Sequence, residues 1–334
     1  MKATNAAASA KTASAVRKPR PPLHLVITML LLVYASWGSV YIGNKLSLEI
    51  AGPFLVCGLR NALAGLLTLG VCCLRKGMWK TPSLKDVWNH SIIGVMLVLM
   101  SGGFLVLGQT QVSSGVAAVI MGSTPIFMLV AAWLFAGEPA PTRIQCLGMC
   151  TGASAIIYLS WSEQSAGTGT ITGVLILLCA IAGWVAGSLI TKSRNIAGNL
   201  SLMESTGLLL LMGGLESLVL GLLAGEAGSI QPQNLRFDTI LAFSWMVVGG
   251  SFLAYVCYLW LLNNVSVSLA VSYEYVVPVI GICLGCFIGG ETVSGDMIIA
   301  CMVSISSVFL VVRHRHSFKS YIRHYLVHKT SSSK

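Results

Sequence analysis

The 334-residue chain is 55% hydrophobic and only 10% charged, with a formal net charge of +10. Its mean hydropathy is +0.81. Soluble domains carry about 25% charged residues, so an ordinary water-soluble globule is excluded.

The first 22 residues, MKATNAAASAKTASAVRKPRPP, are polar, Ala/Ser-rich and free of acid. They read as a flexible cytoplasmic tail, a transit peptide being the alternative. Apolar runs then recur at roughly 24–46, 53–74, 90–108, 113–136, 143–160, 171–191, 204–224, 240–262, 266–289 and 295–312. Each is about long enough to cross a bilayer as a helix. Lipid offers the backbone no hydrogen-bonding partner, so the pattern predicts an all-α integral membrane protein of ten transmembrane helices. The segment 314–334 closes the chain. Phe318, Tyr321, Ile322, Tyr325 and Leu326 share one face there, with Lys319, Arg323, His324 and His328 on its flanks. This predicts a basic amphipathic helix on an anionic leaflet.

With the N-terminus in the cytoplasm, the tails and even-numbered loops hold 18 of the 21 Lys and Arg residues. The outer loops hold only Arg236, while Lys45 and Arg60 lie in or at the edge of runs. This asymmetry is the positive-inside pattern. The basic charge therefore reports orientation, with both termini cytoplasmic, and not a nucleic-acid partner. The ten cysteines are scattered through apolar runs; Cys283 and Cys286 form a CxxC without histidines to complete a zinc site. They read as small apolar filler, and no metal or cofactor is expected.

The sequence also repeats itself. Aligning 112–138 with 265–291 without a gap pairs Pro125 with Pro278 and Gly137-Glu138 with Gly290-Glu291. Val112, Ser113 and Ala117 also meet identical residues. A second match pairs Ala35, Trp37 and Lys45 with Ala182, Trp184 and Lys192. Two five-span units follow, at 23–160 and 161–313. A unit with an odd number of spans re-enters the membrane upside down, so the repeats are expected to be inverted, a recurring plan of secondary transporters. Small residues recur in register to allow close packing: Gly94, Ser101 and Gly108 in the third run, Ser114, Ala118 and Gly122 in the fourth. Pro125 and Pro278 are expected to kink their helices and free a carbonyl.

Four motifs occur in order: WGSVYIGNKL in the first run, Pro53-x6-Arg60 in the second, Pro125 with Gly137-Glu138 in the fourth, and SYEYVVPV with Gly290-Glu291 in the ninth. The set resembles the EamA family of the drug/metabolite transporter superfamily, over about residues 24–312. The resemblance implies a ten-helix basket with a central cavity lined by spans 1, 3, 4, 6, 8 and 9, and with spans 5 and 10 peripheral. It implies export of amino acids, other metabolites or drugs without ATP hydrolysis. The chain departs from the family pattern at Glu274 and Val277, where relatives carry an uncharged residue and an asparagine.

Trp37, Tyr41 and Asn44 share one helical face, and Trp184 is the counterpart of Trp37. Together with Tyr258, Ser272 and Tyr275 they are candidate substrate-cavity residues; Tyr255 and Tyr258 also suit plain packing. Charges inside a membrane cost roughly 2.5–3.5 kcal/mol at the centre on insertion scales. Lys45 is expected to snorkel. Arg60 lies about 10 Å below the outer surface at helical rise, and Glu216 lies at nearly the same depth, so the two suggest a structural ion pair. Glu274 lies about 12 Å in from the opposite surface, which puts Arg60 and Lys45 out of its reach. Without a partner it suits a water-accessible cavity as a proton- or cation-binding residue; a hydrogen bond to a neighbouring helix is the structural alternative.

An intramembrane protease needs a serine with a general base or paired aspartates. The interiors of the runs hold neither His nor Asp, and no Walker sequence is present, so an enzyme is not expected. The reading is a secondary transporter whose partners are a small-molecule substrate and the bilayer. Self-association in a homo-oligomer is compatible with it, as is a channel-like or non-transporting scaffold.

Overall fold

The computed structural model describes residues 21–74, 80–165, 167, 170–193, 198–265, 267–270 and 272–313. The amphipathic helix expected at the C-terminus, nearly all of the N-terminal tail and the side chains of Lys192 and Tyr275 lie outside the described residues. Among the described residues every regular element is helical. The helices are α1 (Leu23–Ser47), α2 (Pro53–Leu74), α3 (Leu84–Gly108), α4 (Ser114–Phe135), α5 (Arg143–Ser165), α6 (Ile171–Ser193), α7 (Leu202–Leu223) and α8 (Phe237–Asn264). They are followed by the composite α9 (267–287) and by α10 (Gly295–Arg313). The ten apolar runs thus resolve into eight helices long and apolar enough to cross a membrane and two shorter apolar ones. Large apolar side chains such as Leu66, Phe135, Trp161 and Phe287 stand exposed on the outside, as suits a surface whose solvent is lipid.

Local breaks recur at matching places in the two halves. A π-helical stretch interrupts α3 at Val95–Gly103 and α8 at Met246–Leu253. In α4 the chain turns at Gly122 and Ser123 between Ser114–Met121 and Thr124–Phe135. In α9 a short helix, Val267–Ala270, gives way to a 3₁₀ turn, Ser272–Tyr275, before Val277–Phe287. Pro125 and Pro278 each stand in the first turn of the second piece. The expected kinks are therefore corrected: proline opens a new helix, where its missing N–H costs nothing, and does not bend a continuous one. Hydroxyls cover the freed carbonyls. Ser123 and Thr124 donate to Ile120 O and Met121 O at 2.6 and 2.5 Å, and Ser272 donates to Leu269 O at 2.8 Å.

Helix pairing follows the same symmetry. Besides an extensive contact of α3 with α7, α1 packs on α8, α3 on α6, α4 on α9, α2 on α7, and α5 on α10; the latter five pairs form a set. Exchanging the two halves leaves this set unchanged. Glycine seams fix the directions. A Cβ on Gly58 would press on Leu218 N and one on Gly65 on Leu211 N, so α2 and α7 run antiparallel. Gly122 faces Pro278 while Gly281 faces Ala118, so α4 and α9 do too. Gly152 meets Ser307, and Tyr158 and Ser162 donate to Asp296, which sets α5 antiparallel to α10. The latter two pack chiefly on each other, at the periphery.

Two findings differ from the sequence reading. His90 is wholly buried inside α3, which begins six residues earlier than expected behind a Ser83–Asp86 capping box. Its ring nitrogens meet Asp86 O and Ser205 Oγ, both at 2.7 Å. No ion pair joins Arg60 to Glu216. Glu216 instead accepts a hydrogen bond from Ser91. The two residues do lie on adjacent helices, but each is two positions from a seam glycine, Gly58 or Gly214. At 3.6 residues per turn that step swings the side chain to the far side of the seam.

A Cβ on Gly214 would sit 2.3 Å from Ala62 N, whereas one on Gly70 meets nothing within 4 Å. Gly214→Leu should therefore lower the thermal stability of the purified protein by about 1–3 kcal/mol through overpacking. Gly70→Ala should stay within about 0.5 kcal/mol of wild type. Thermal unfolding in one detergent checks both.

Candidate functional site

The breaks in α4 and α9 face one another at the interface of the two halves. Gly122 permits the approach: a Cβ there would lie 2.7 Å from Pro278 and 3.3 Å from Glu274 O. Beside this crossing lies a cavity of about 70 Å³, room for a few waters. Its wall comes from α1, α3, α4, α6, α8 and α9, with Arg60 reaching in from α2. Trp37, Tyr41, Tyr255, Tyr273 and Trp184 supply aromatic faces, and Arg60 and Glu274 supply the charges.

The aromatic residues form one cluster. Trp37 and Trp184, counterparts in the two halves, meet edge-on with centroids 5.1 Å apart. Trp37 also packs against Tyr273 at 4.6 Å and Tyr255 at 5.9 Å, within the range where aromatic pairs attract. Trp37 Nε1 donates to Gly250 O at 3.2 Å, and Tyr255 OH donates to Leu97 O at 2.9 Å. Both carbonyls belong to the π-helical stretches, whose widened turns leave acceptors for side chains. The π-segments thus hold the aromatic wall in place.

Glu274 is 4% exposed. Its carboxyl lies beside the uncharged side chains of Tyr273 and Thr124. Arg60, also 4% exposed, donates from Nη1 to Asn44 Oδ1 at 2.9 Å. Asn44 Nδ2 donates to Gln109 Oε1 at 2.8 Å, and Gln109 Nε2 donates to Tyr41 O at 2.9 Å. This polar relay aims the guanidinium.

Of the residues expected at the cavity, Trp37, Tyr41 and Trp184 stand on its wall. Asn44, Tyr258 and Ser272 do not, and these placements are corrected. Asn44 is wholly buried behind Arg60. Tyr258 packs under both tryptophans and shares a 2.9 Å hydrogen bond with Ser188. Ser272 Oγ is tied to Tyr34 OH at 3.0 Å. Arg60 and Tyr273 reach the wall without having been singled out for it, and Tyr255, a weaker candidate suited to plain packing, reaches it too. Arg60 and Glu274 line the same cavity, yet no ion pair joins them, in keeping with the expectation that Arg60 is out of its reach.

Lys45, expected to snorkel, has a specific partner. Its Nζ pairs with Glu291 Oε1 at 3.0 Å and also donates to Gly289 O at 3.2 Å. Glu291 in turn accepts the N–H groups of Ser114 and Gly115 at 3.1 and 3.4 Å, so its charge sits on the N-terminus of α4, where the helix dipole favours it. Gly285 leaves room for this carboxylate; a Cβ there would lie 2.6 Å from Glu291 Oε2. Burial alone would raise the Glu291 carboxyl, but the Ser114 N–H and Lys45 outweigh it and hold the group below its ordinary value. Lys45, Gln109 and Glu291 line a larger polar depression of about 580 Å³. Gln109 on its wall bonds Asn44, which bonds Arg60 on the wall of the aromatic cavity.

Residues 24–161 and 171–313 each match the EamA-like transporter family. The chain is 30% identical over 290 residues to an uncharacterized inner membrane transporter of Escherichia coli K12, YedA, covering 86% of this chain and 91% of that one. It is 22% identical to an uncharacterized Bacillus subtilis transporter, YvbV, over 88% and 92% of the two chains. A WAT1-related chloroplastic protein of Arabidopsis thaliana is also 22% identical, over 85% and 68%. One crystal structure superposes with a TM-score of 0.63 at 16% identity, over 87% of this chain and 99% of its own; that likeness is one of fold.

The Lys45–Glu291 geometry separates two contributions. Lys45 has a side chain 43% exposed, so Lys45→Ala should cost under about 1 kcal/mol. Glu291→Ala removes the α4 cap as well and should cost about 1–2 kcal/mol. A carboxyl held low in the folded state stabilises above its ordinary value of about 4.3 and loses that contribution as pH falls through the depressed value. The stability gap between wild type and Glu291→Ala should therefore be constant near neutrality and close only under acid, as thermal melts across pH would record.

Proposed function

Because the chain belongs to the EamA-like transporter family, we propose that it is a secondary active transporter that exports small metabolites, such as amino acids or drugs, across the bacterial inner membrane. Glu274 carries the reading. It is a buried carboxyl on a 3₁₀ turn between two half-helices, on the wall of a cavity where the two halves meet. Broken helices that present irregular backbone to a central site are a recurring way for transporters to build a substrate or ion site.

In this reading five helices from each repeat cross the membrane, ten in all, with both termini in the cytoplasm. The antiparallel pairing of α2 with α7, α4 with α9 and α5 with α10 supports an inverted relation between the repeats. Two similar halves of opposite orientation can exchange conformations, opening the cavity first to one side and then to the other. Glu274 is the proton- or cation-binding residue of that cycle. The chain acts by moving solute and catalyses no covalent step.

Two measurements test this. Cysteine labelling should place both termini and the 75–83 loop inside and the 225–236 loop outside; an external C-terminus would break the inverted arrangement. A resistance screen in cells overexpressing the chain would supply the solute, and transport into proteoliposomes would then be compared for wild type and Glu274→Gln. The variant keeps shape and hydrogen bonding but cannot titrate, so proton-driven flux should fall at least about tenfold. Wild-type flux with unchanged pH dependence would overturn the role.

A further inference from the structure

The cavity holds two opposite charges that do not touch. Arg60 and Glu274 are each 96% buried, taking their 4% exposure from the whole, and both lie on the cavity wall. Among the described residues the ion pairs are Lys45–Glu291, Arg236–Glu49 and Arg236–Asp238, so the two are not within pairing distance. The groups beside Glu274, Tyr273 and Thr124, are uncharged, and among the described residues no ion pair involves it. Arg60 spends one N–H on Asn44, and its Nε–H is buried with no acceptor at all. A guanidinium has five N–H donors in a flat fork that matches a carboxylate.

Burying a charge without a partner is costly, and breaking a buried pair costs more than lacking it altogether. An occupant carrying a lone negative group would satisfy Arg60 and leave Glu274 unpaired. A lone cation would do the reverse. A molecule with both charges satisfies both ends at once. Trp37, Trp184 and Tyr273 line the same cavity and present apolar faces on which an ammonium or a short apolar group can rest. Gly102 leaves the guanidinium end uncovered on its side: a Cβ there would come into contact with Arg60 Nη2 at 3.8 Å.

Building on the transport reading, we propose that the cavity is a zwitterion site: Arg60 takes the substrate's carboxylate and Glu274 its ammonium. Asn44 is a positioning residue. It holds Arg60 turned away from Glu274, preventing the two charges from collapsing onto each other and closing the site. The cation that Glu274 exchanges in the cycle is then the substrate's own ammonium group.

The test uses binding to the full-length protein in detergent, so it does not depend on transport. The probes are free α-amino acids from glycine to tryptophan, their N-acetyl derivatives, which lack the cation, and their methyl esters, which lack the anion. At least one free amino acid should raise the melting temperature in a saturable way. Its acetyl and ester forms should bind at least about tenfold more weakly. In Arg60→Gln the free acid should lose affinity to the level of its ester, while the ester's own affinity stays put. Asn44→Ala should weaken the free acid more than the ester. Esters or acetyl derivatives that bind wild type as well as the free acid would overturn the proposal, as would stabilisation by no free amino acid. If Arg60→Gln fails to fold, the derivative series on wild type still decides. Export of a plain monoanion or monocation unaffected by Arg60→Lys would sink the zwitterion site and leave the transport reading standing.

Discussion

A polypeptide in lipid must satisfy every backbone N–H and C=O from within, because an orphaned group in hydrocarbon costs several kcal/mol. That constraint decides where this chain is allowed to leave the helical ladder. It does so in α4 and α9 at points that lie against each other, and in α3 and α8 where neighbouring side chains supply the missing partners. Ser123, Thr124 and Ser272 cover freed carbonyls from within their own segments, and Tyr255 covers Leu97 O from across the bundle. The cavity is lined by those same segments.

Close approach between the halves depends on a second physical fact, that lipid supplies no hydrophobic drive for helix association. Dispersion contacts have to do that work, and they fade within an ångström of extra separation. The α2–α7 seam meets the requirement with Gly58 and Gly65 on one side and Gly207, Gly214 and Gly221 on the other. The seam leaves Arg60 and Glu216 pointing outward from it in different directions. Arg60 turns into the cavity and Glu216 toward Ser91 of α3. A tight seam of small residues thus determines which charged residue reaches the centre.

At the end of the bundle where α1 and α3 finish, the polar groups form a continuous layer. Asn44 bonds Arg60, and its neighbour Lys45 bonds Glu291, which caps α4. One turn of α1 therefore contacts the central guanidinium and the loop joining α9 to α10. A displacement of that turn would be felt at both places, because the contacts on each side are short and directional.

How much of this was legible in the sequence depends on the range of the interaction. Helicity, the count of apolar runs, the repeat and the burial of Glu274 follow from local composition and spacing, since a bilayer leaves few choices for an apolar stretch. The Trp37–Trp184 meeting was foreshadowed by their equivalent places in the repeat. The glycine seam is legible too, in the seven-residue spacing of Gly58 with Gly65 and of Gly207 with Gly214 and Gly221. The facing of Arg60 was not legible. Depth along a helix can be counted from sequence, but azimuth relative to a partner appears only once the partner is docked. Nor could spacing alone show that Pro278 begins a helix, because the break before it is stable only against Gly122 of another segment. The sequence by itself determined that the chain is a duplicated, multi-helix membrane protein with a charge it must hide. Only the tertiary structure decided what that charge faces, because partners distant in sequence set each side chain's direction.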